Sequence, residues 1–256
     1  MLLCVDVGNT NIVLAVFEGP RVQHHWRIKT ERAMTKDELG AKVYTLFSIS
    51  AIDPGSVDDI IVASVVPSLA ETIEEFSSEL FKKKPMVVTP ALEIGMPIHY
   101  HKPQDLGTDR IVNAVGAYEK HKTGLIVVDF GTATTFDYVS SGGAFMGGVI
   151  APGLTLSSEA LFAKGAQLPK IETFFKPDSV IAKDTVSSLN AGIIFGYGGL
   201  VEGIVARMRA AAGEALTVIA TGGLAPLIRD MTNAIDHEEP LLTLEGLRII
   251  YERNRS

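Results

Sequence analysis

Two short stretches of the chain carry residue types that hold phosphate. Asp6-Val7-Gly8-Asn9-Thr10-Asn11 follows the apolar run 2–5, and Asp129-Phe130-Gly131-Thr132-Ala133-Thr134-Thr135-Phe136-Asp137 follows the apolar run 125–128. In each, an Asp closes a run suited to a buried strand, a Gly occupies the turn, and small hydroxyl or amide side chains come next. The Gly is expected to take positive φ and let the chain approach a ligand closely, so that successive N–H groups and Thr hydroxyls face phosphate oxygens. The Asp, set back on the strand, can hold a metal ion or its water shell beside those oxygens. Two such hairpins predict two related half-molecules closing on one nucleotide, with ATP as the expected ligand.

Gly107-Thr108-Asp109-Arg110 stands at a predicted helix start, where free N–H groups and the helix dipole favour an anion. Arg110 offers a fork suited to a carboxylate, and Asp109 beside it can accept a hydroxyl proton. An acceptor bearing both a carboxylate and an alcohol would suit the pair. Alone, the two would read as a helix-start carboxylate and a surface Arg; the neighbouring hairpins turn the reading toward chemistry. Thr221-Gly222-Gly223 follows a predicted strand and precedes a helix, so its glycines either let the backbone lie against a nucleotide or serve a tight turn. Gly147-Gly148 and Pro152-Gly153, near the second hairpin, leave the same two readings open. In His99-Tyr100-His101 the imidazoles of an extended segment point to opposite sides, which disfavours a shared metal, whereas the Tyr100 phenol could contact an acceptor. His24-His25 reads as strand surface. The chain lacks Gly-x-x-x-x-Gly-Lys-Ser/Thr, Gly-x-Ser-x-Gly and His-Glu-x-x-His, and Gly196-Tyr197-Gly198 lacks the third glycine of a dinucleotide fingerprint, Val201 standing there.

The elements that must position these residues follow from hydrophobic spacing. Runs 2–7, 12–17 and 22–28 read as a three-stranded meander, 35–50 as a helix, 60–66 as a buried strand, 67–82 as a helix and 86–89 as a strand. Residues 91–105 read as a connecting loop and 109–121 as a helix. The meander then repeats over 125–128, 136–139 and 144–150. After it come a helix at 155–163, a mixed polar segment to 183, a long helix at 185–212, a strand at 216–220, and helices at 224–231 and 244–253. Gly192 and Gly196, and Gly199 and Gly203, are each four apart, which on a helix makes flat strips for close packing within the chain or against another subunit. The uncharged stretch between Asp184 and Glu202 contains Ser187, Ser188, Asn190, Tyr197 and several glycines, too polar to read easily as a membrane span.

With 256 residues, 46% hydrophobic and 21% charged, the chain is globular in composition, and the duplication favours two domains. Its 23 basic and 30 acidic residues leave a net charge of −7, which argues against a broad nucleic-acid footprint. Cys4 is the only cysteine, so an intramolecular disulfide is excluded, and its place in an apolar strand reads as a buried structural thiol. With no basic, apolar leader at the N-terminus, a cytoplasmic location is expected, with neither a nucleic-acid nor a membrane partner.

Taken in order and spacing, Asp6–Asn11, Gly107–Arg110, Asp129–Asp137, Thr221-Gly222-Gly223 and the closing Gly246-Leu247-Arg248 resemble the type III pantothenate kinases, a branch of the acetate and sugar kinase, Hsp70 and actin superfamily. The resemblance implies an α/β fold of two actin-like (ribonuclease H-like) domains, 1–115 and 116–256, each a mixed sheet flanked by helices, with the active site in the cleft between them. It implies transfer of the ATP γ-phosphoryl group to the primary hydroxyl of pantothenate, the first committed step of coenzyme A synthesis, by a homodimer. ATP would contact Asp6, Val7, Gly8, Asn9, Thr10, Asn11, Ile12 and Val13, together with Thr132, Gly222 and Gly223. Asp109 would be the proton acceptor. Pantothenate would meet Tyr100, Gly107, Thr108, Asp109 and Arg110, and Thr185 matches a further substrate position that a second subunit could complete. Asp6 would lie near Mg²⁺, through phosphates or water, and Asp129 would bind the monovalent cation, K⁺ or NH₄⁺. Family members often have Ala where Thr108 stands. Rival readings are another kinase of the superfamily, acting on a sugar or acetate, and a nucleotide-binding accessory factor for transcription without turnover.

Overall fold

Leu2–Val7 is apolar at almost every position, the pattern of a strand covered on both faces. In the computed structural model, which describes residues 1–89, 91–165, 168–169, 171 and 173–255, this strand, β1, is the centre of a five-stranded sheet. It pairs antiparallel with β2 (Asn11–Glu18), which pairs antiparallel with β3 (Arg21–Lys29). On its other side β1 runs parallel to β4 (Asp59–Ser64), and β4 parallel to β5 (Met86–Val87). Leu3, Val5 and Val7 share one face with Ile12, Leu14, Ile60 and Val62, and this face packs on Leu39, Val43 and Phe47 of α1 (Lys36–Ile49) and on Ile73 and Phe76 of α2 (Ala70–Leu80). A capping box starts α1: Glu38 N–H donates to Thr35 Oγ1 at 3.3 Å, and Thr35 N–H donates to the Glu38 carboxylate at 2.8 Å.

The other face of β1 carries Cys4 and Asp6 and is covered by α7 (Leu242–Asn254), whose Arg248 guanidinium lies 5.9 Å over the Phe17 ring. Cys4 is fully buried, and burial, partly offset by Arg248, pushes its thiol well above the usual range. It is a neutral core side chain, as expected. The helix α3 (Thr108–His121) meets α7 through glycines: a Cβ on Gly246 would collide with the Val112 carbonyl, and one on Gly116 would stand 2.9 Å from the Leu242 carbonyl. Gly246, in the closing Gly-Leu-Arg stretch, is therefore a packing glycine. The chain divides into two units, the first made of Met1–Met96, His101–Gly116 and residues 242–255, the second of Pro97–Tyr100 and Ala117–Leu241. The expected split at 115/116 assigns the last helix to the second half; its apolar face instead packs on β1 and β4 of the first unit.

The second unit repeats the plan. The strands β6 (Leu125–Phe130), β7 (Ala133–Val139), β8 (Phe145–Pro152), β9 (Thr217–Thr221) and β10 (His237–Glu238) lie in the order β10-β9-β6-β7-β8, the counterpart of β5-β4-β1-β2-β3 in the first sheet. Ile126, Val128, Phe136, Val218 and Ala220 face a core closed by α4 (Leu154–Lys164), α5 (Thr185–Ala212) and α6 (Ala225–Arg229). β10 has no counterpart among the expected strands, because two polar residues carry no periodic signal. Part of the mixed polar segment before α5 lies outside the described residues. The helix α5 is long and apolar enough to cross a membrane; in the structure its Ile194, Tyr197, Val201 and Val205 are buried in the second core.

Candidate active site

In the first unit, Asp6 sits at the last but one position of β1, opposite Val13 of β2 and Ala63 of β4. The turn beyond it is closed by Gly8 N–H donating to the Asn11 carbonyl at 3.0 Å. Gly8 does not take positive φ, contrary to expectation, and neither does Gly131. What Gly8 supplies is room, since a Cβ there would stand 3.1 Å from the Asn11 carbonyl. The chain leaving β3 straps the turn: Thr30 Oγ1 donates to the Gly8 carbonyl at 2.7 Å and Thr30 N–H to the Thr10 carbonyl at 2.9 Å, while Arg32 reaches Asn9 Oδ1 at 3.3 Å. Asn9 and Thr10 remain exposed.

The start of α3 is brought to the same end of this sheet. Val65 N–H donates to the Val7 carbonyl at 3.0 Å, and Thr108 Oγ1 donates to the Ser64 carbonyl at 3.3 Å. The Asp109 carboxylate folds back over the helix start, where Oδ1 accepts the Arg110 N–H at 2.9 Å, and a Cβ on Gly107 would collide with that same oxygen. Gly107 is thus required by the placement of Asp109. Burial raises the Asp109 carboxyl above the usual carboxylate range, opposed by the Arg110 N–H and the Arg110 charge. A carboxylate made more basic in this way is a better proton acceptor. Arg110 is 6% exposed, not the surface residue that a bare helix start would present.

In the second unit, Asp129 lies opposite Thr135 of β7 and Thr221 of β9, so two hydroxyls share its face of the sheet. Gly131 N–H donates to the Ala133 carbonyl at 3.1 Å, and Thr132 is exposed at the tip. Two other glycine stretches close on this hairpin. Gly222 takes φ +93°, and a Cβ there would stand 2.6 Å from Asp129 Oδ1 and 2.7 Å from both Phe130 N and Phe130 O. Gly153 N–H donates to the Thr132 carbonyl at 3.1 Å, and a Cβ on it would collide with that carbonyl. Both glycines are therefore needed by the fold around the hairpin.

Tyr100 belongs to the second unit, where its ring packs edge-on to Phe145 at 6.3 Å and the neighbouring His99 N–H donates to the Phe145 carbonyl at 2.8 Å. Gly107–Arg110 belongs to the first. Thr185 opens α5 behind the cap Asp184, whose carboxylate accepts the Ser187 N–H at 2.9 Å, and it lines a shallow, open depression with Leu168, Lys183 and Ser188. Gly192, Gly196 and Gly199 have no neighbour within 4 Å of an added Cβ, so their strip packs on nothing among the described residues; Gly198 instead abuts the Met231 carbonyl. His24 and His25 are exposed on β3. Sequence reasoning did not find Thr30 or Arg32 as supports of the first turn, nor Tyr197 beneath the second; a lone Tyr on the apolar face of a Gly-rich helix was the one available signal.

The donors present fit the groups that such a site uses. Among the described residues no cluster of three or more His, Cys, Asp or Glu could hold a metal. Single carboxylates at strand ends suit a hard cation that takes its other ligands from phosphates and water, as Mg²⁺ does.

Twin sheets in one strand order, each with an Asp-x-Gly hairpin after its central strand, define the actin-like, ribonuclease H-like fold. The backbone is similar to that of a Sinorhizobium meliloti protein described as a 2-dehydro-3-deoxygalactonokinase, with TM-score 0.61 and 11% identity over 98% of each chain. It is equally similar to a Campylobacter jejuni protein described as a Baf family transcriptional activator, with TM-score 0.61 and 18% identity over 98% of each chain. At these identities the likeness speaks for the fold. The sequence profile of the type III pantothenate kinases matches residues 2–207. A type III pantothenate kinase of Geotalea daltonii is 52% identical over 255 residues, spanning 100% of this chain and 99% of its own. The chain belongs to the type III pantothenate kinase family.

Proposed function

We propose that the protein transfers the γ-phosphoryl group of ATP to the primary hydroxyl of pantothenate, giving 4'-phosphopantothenate for coenzyme A synthesis. The observation that carries this reading is the start of α3: a partly buried carboxylate of raised pKa at Asp109, followed by Arg110, anchored at the sheet end that bears the Asp6 hairpin. The pantothenate hydroxyl oxygen bonds to the γ-phosphorus as the β,γ-bridging bond breaks, and its proton passes to the Asp109 carboxylate. Phosphoryl transfer depends on alignment and on charge stabilisation at the equatorial oxygens, so Asp109 has only to lie within reach of the hydroxyl. Tyr100, Gly107, Thr108, Arg110 and Thr185 hold pantothenate, with the guanidinium or nearby N–H groups on its carboxylate.

The turn N–H groups of Gly8 through Asn11, with Thr132, Gly222 and Gly223, hold the nucleotide. Mg²⁺ bound with ATP would offset phosphate charge, and Asp6 would lie near it, through phosphates or water. Asp129 holds a monovalent cation, K⁺ or NH₄⁺. The contrast in neighbours supports this division: Asp6 is flanked by Val13 and Ala63, whereas Asp129 is flanked by the oxygen donors Thr135 and Thr221.

The protein works in the cytoplasm as a homodimer. Supporting the dimer, the open glycine strip of α5 lies in the unit that also exposes Met146, Ile150, Leu156, Val180, Ile181 and Val186. The test is ADP release from ATP with pantothenate, with and without K⁺. Turnover that needs pantothenate is expected. Turnover with a sugar in its place, or none under any cation, overturns the assignment.

A further inference from the structure

Tyr197 projects from the middle of α5 into the second core and is 6% exposed. Its hydroxyl donates to the Pro152 carbonyl at 2.9 Å and stands 2.5 Å from Thr134 Oγ1. A phenol has a single proton, so with that proton on Pro152 the Thr134 hydroxyl is the donor in the shorter bond. Burial pushes the phenol pKa up, which keeps this proton in place. Thr134 is 1% exposed and lies on the core face of β7, turned away from Asp129 and Thr135. Its hydroxyl is committed to Tyr197 and is unavailable to phosphate.

The contacts of Tyr197 converge on one short piece of structure. The ring lies 6.4 Å from that of Phe130, just before the Gly131-Thr132 turn; Thr134 follows the turn; and Pro152 precedes Gly153, whose N–H holds the Thr132 carbonyl at 3.1 Å. Thr132 itself is exposed at the tip of the turn. A buried Tyr placed only to fill space could satisfy its hydroxyl anywhere; this one ties the strand that leaves the turn, β7, to the end of β8, where the next residue holds the turn carbonyl.

We infer that Tyr197 is a positioning residue for nucleotide binding: through Thr134 and Pro152 its hydroxyl fixes the direction of the Gly131-Thr132 turn toward ATP. The inference rests on the reading of that hairpin as an ATP site. Tyr197→Phe keeps the ring and removes the hydroxyl. It is expected to raise KM for ATP about tenfold, the scale of one buried hydrogen bond left unmade, with KM for pantothenate changed less than about twofold. Thr134→Val is expected to match it, the double variant to lose little more than either single one, and Thr134→Ser, which keeps the donor, to restore ATP affinity. Direct titration of ATP into wild type and Tyr197→Phe reads the same quantity without turnover. Equal ATP affinity in the two, or an equal rise in both KM values, overturns the inference, as does a fall in Tm with KM for ATP unchanged. A wild type that binds ATP but does not phosphorylate pantothenate removes the proposed function and leaves this inference standing; a wild type that does not bind ATP removes both.

Discussion

The Asp6 and Asp129 hairpins close with nearly the same bond, Gly8 N–H to the Asn11 carbonyl at 3.0 Å and Gly131 N–H to the Ala133 carbonyl at 3.1 Å, yet they are held in different ways. The first is strapped from outside by Thr30 and Arg32, and its tip residues Asn9 and Thr10 are exposed. The second is gripped from within: Gly222 and Gly153 press their backbones against it, and Tyr197 fixes Thr134 beneath it. Duplication of the sheet has therefore not duplicated the support. A strapped turn can shift when a ligand arrives, whereas a gripped one is formed before binding, which lowers the ordering cost of association. The first unit also carries Asp109, so the residue proposed to accept the proton belongs to the unit with the looser turn.

Removing Asp109 tests the first side of that contrast and should give the largest effect. Asp109→Asn keeps the oxygen that accepts the Arg110 N–H but loses the base, and turnover should fall by about 10² to 10⁴ with ATP affinity nearly unchanged. The pH profile provides a second check. Because burial raises the folded-state pKa, the carboxylate protonates earlier than a free Asp as pH falls, so kcat/KM should drop on the acid side through that raised pKa, and the limb should vanish in the variant. Stability has the opposite sign. Between the unfolded and folded pKa values the native state binds more protons, so this group makes the protein less stable as pH rises through the window. Asp109→Asn should thus be at least as stable as wild type at neutral pH, with the difference shrinking in acid. Near-normal turnover would remove Asp109 as base.

Breaking the grip on the second hairpin should come next. Gly222→Ala forces a side chain into φ +93° and places Cβ 2.6 Å from Asp129 Oδ1 and 2.7 Å from the Phe130 backbone. Strain of this kind costs at least about 2 kcal/mol. Chemical denaturation should show that loss, together with weaker ATP binding; an unchanged midpoint would mean that the turn relaxes easily and is not gripped.

The legible part of this molecule was local. Apolar runs ending in Asp-x-Gly marked both central strands, and the acidic start of α3 with its preceding Gly marked the site of Asp109. The supports were not legible, because each joins residues far apart: Thr30 to Gly8, Gly222 to Asp129, Tyr197 to Thr134. A Thr at a strand end or a Tyr in a helix has no spacing that announces its partner. The last helix was misplaced for a related reason. Its amphipathic pattern predicts a buried face but not which sheet buries it, and Gly246 records the answer only once Val112 is seen against it. The two hairpin glycines taught the reverse lesson, since their type was read correctly and their φ was not; Gly8 serves close approach, with Asn11 as the neighbour.

Gly131 allows ligand approach to be separated from fold. A Cβ there would meet the Ala133 carbonyl at 3.4 Å and Asp129 Oδ1 at 3.8 Å, ordinary contact distances, and the residue is exposed. Gly131→Ala should leave the denaturation midpoint within about 0.5 kcal/mol of wild type. Its effect should fall on ATP, because the added methyl stands beside the N–H groups proposed to meet phosphate. Titration with ATP should show weaker binding, and equal binding would move the phosphates elsewhere.

The smallest effect should come from the strap. Thr30→Val removes the 2.7 Å bond to the Gly8 carbonyl but keeps the backbone bond from Thr30 N–H to the Thr10 carbonyl, so the turn is loosened and not released. Thr30 is 8% exposed, and the loss should be about 1 kcal/mol, the typical net value of one such bond. If the first turn is ordered by its ligand, the variant has more to order on binding, so ATP should bind it more weakly and saturating ATP should widen the gap. Denaturation of wild type and variant with and without ATP decides it. A gap that is the same with and without ATP would show that the first turn is as preformed as the second, and would collapse the contrast between strap and grip.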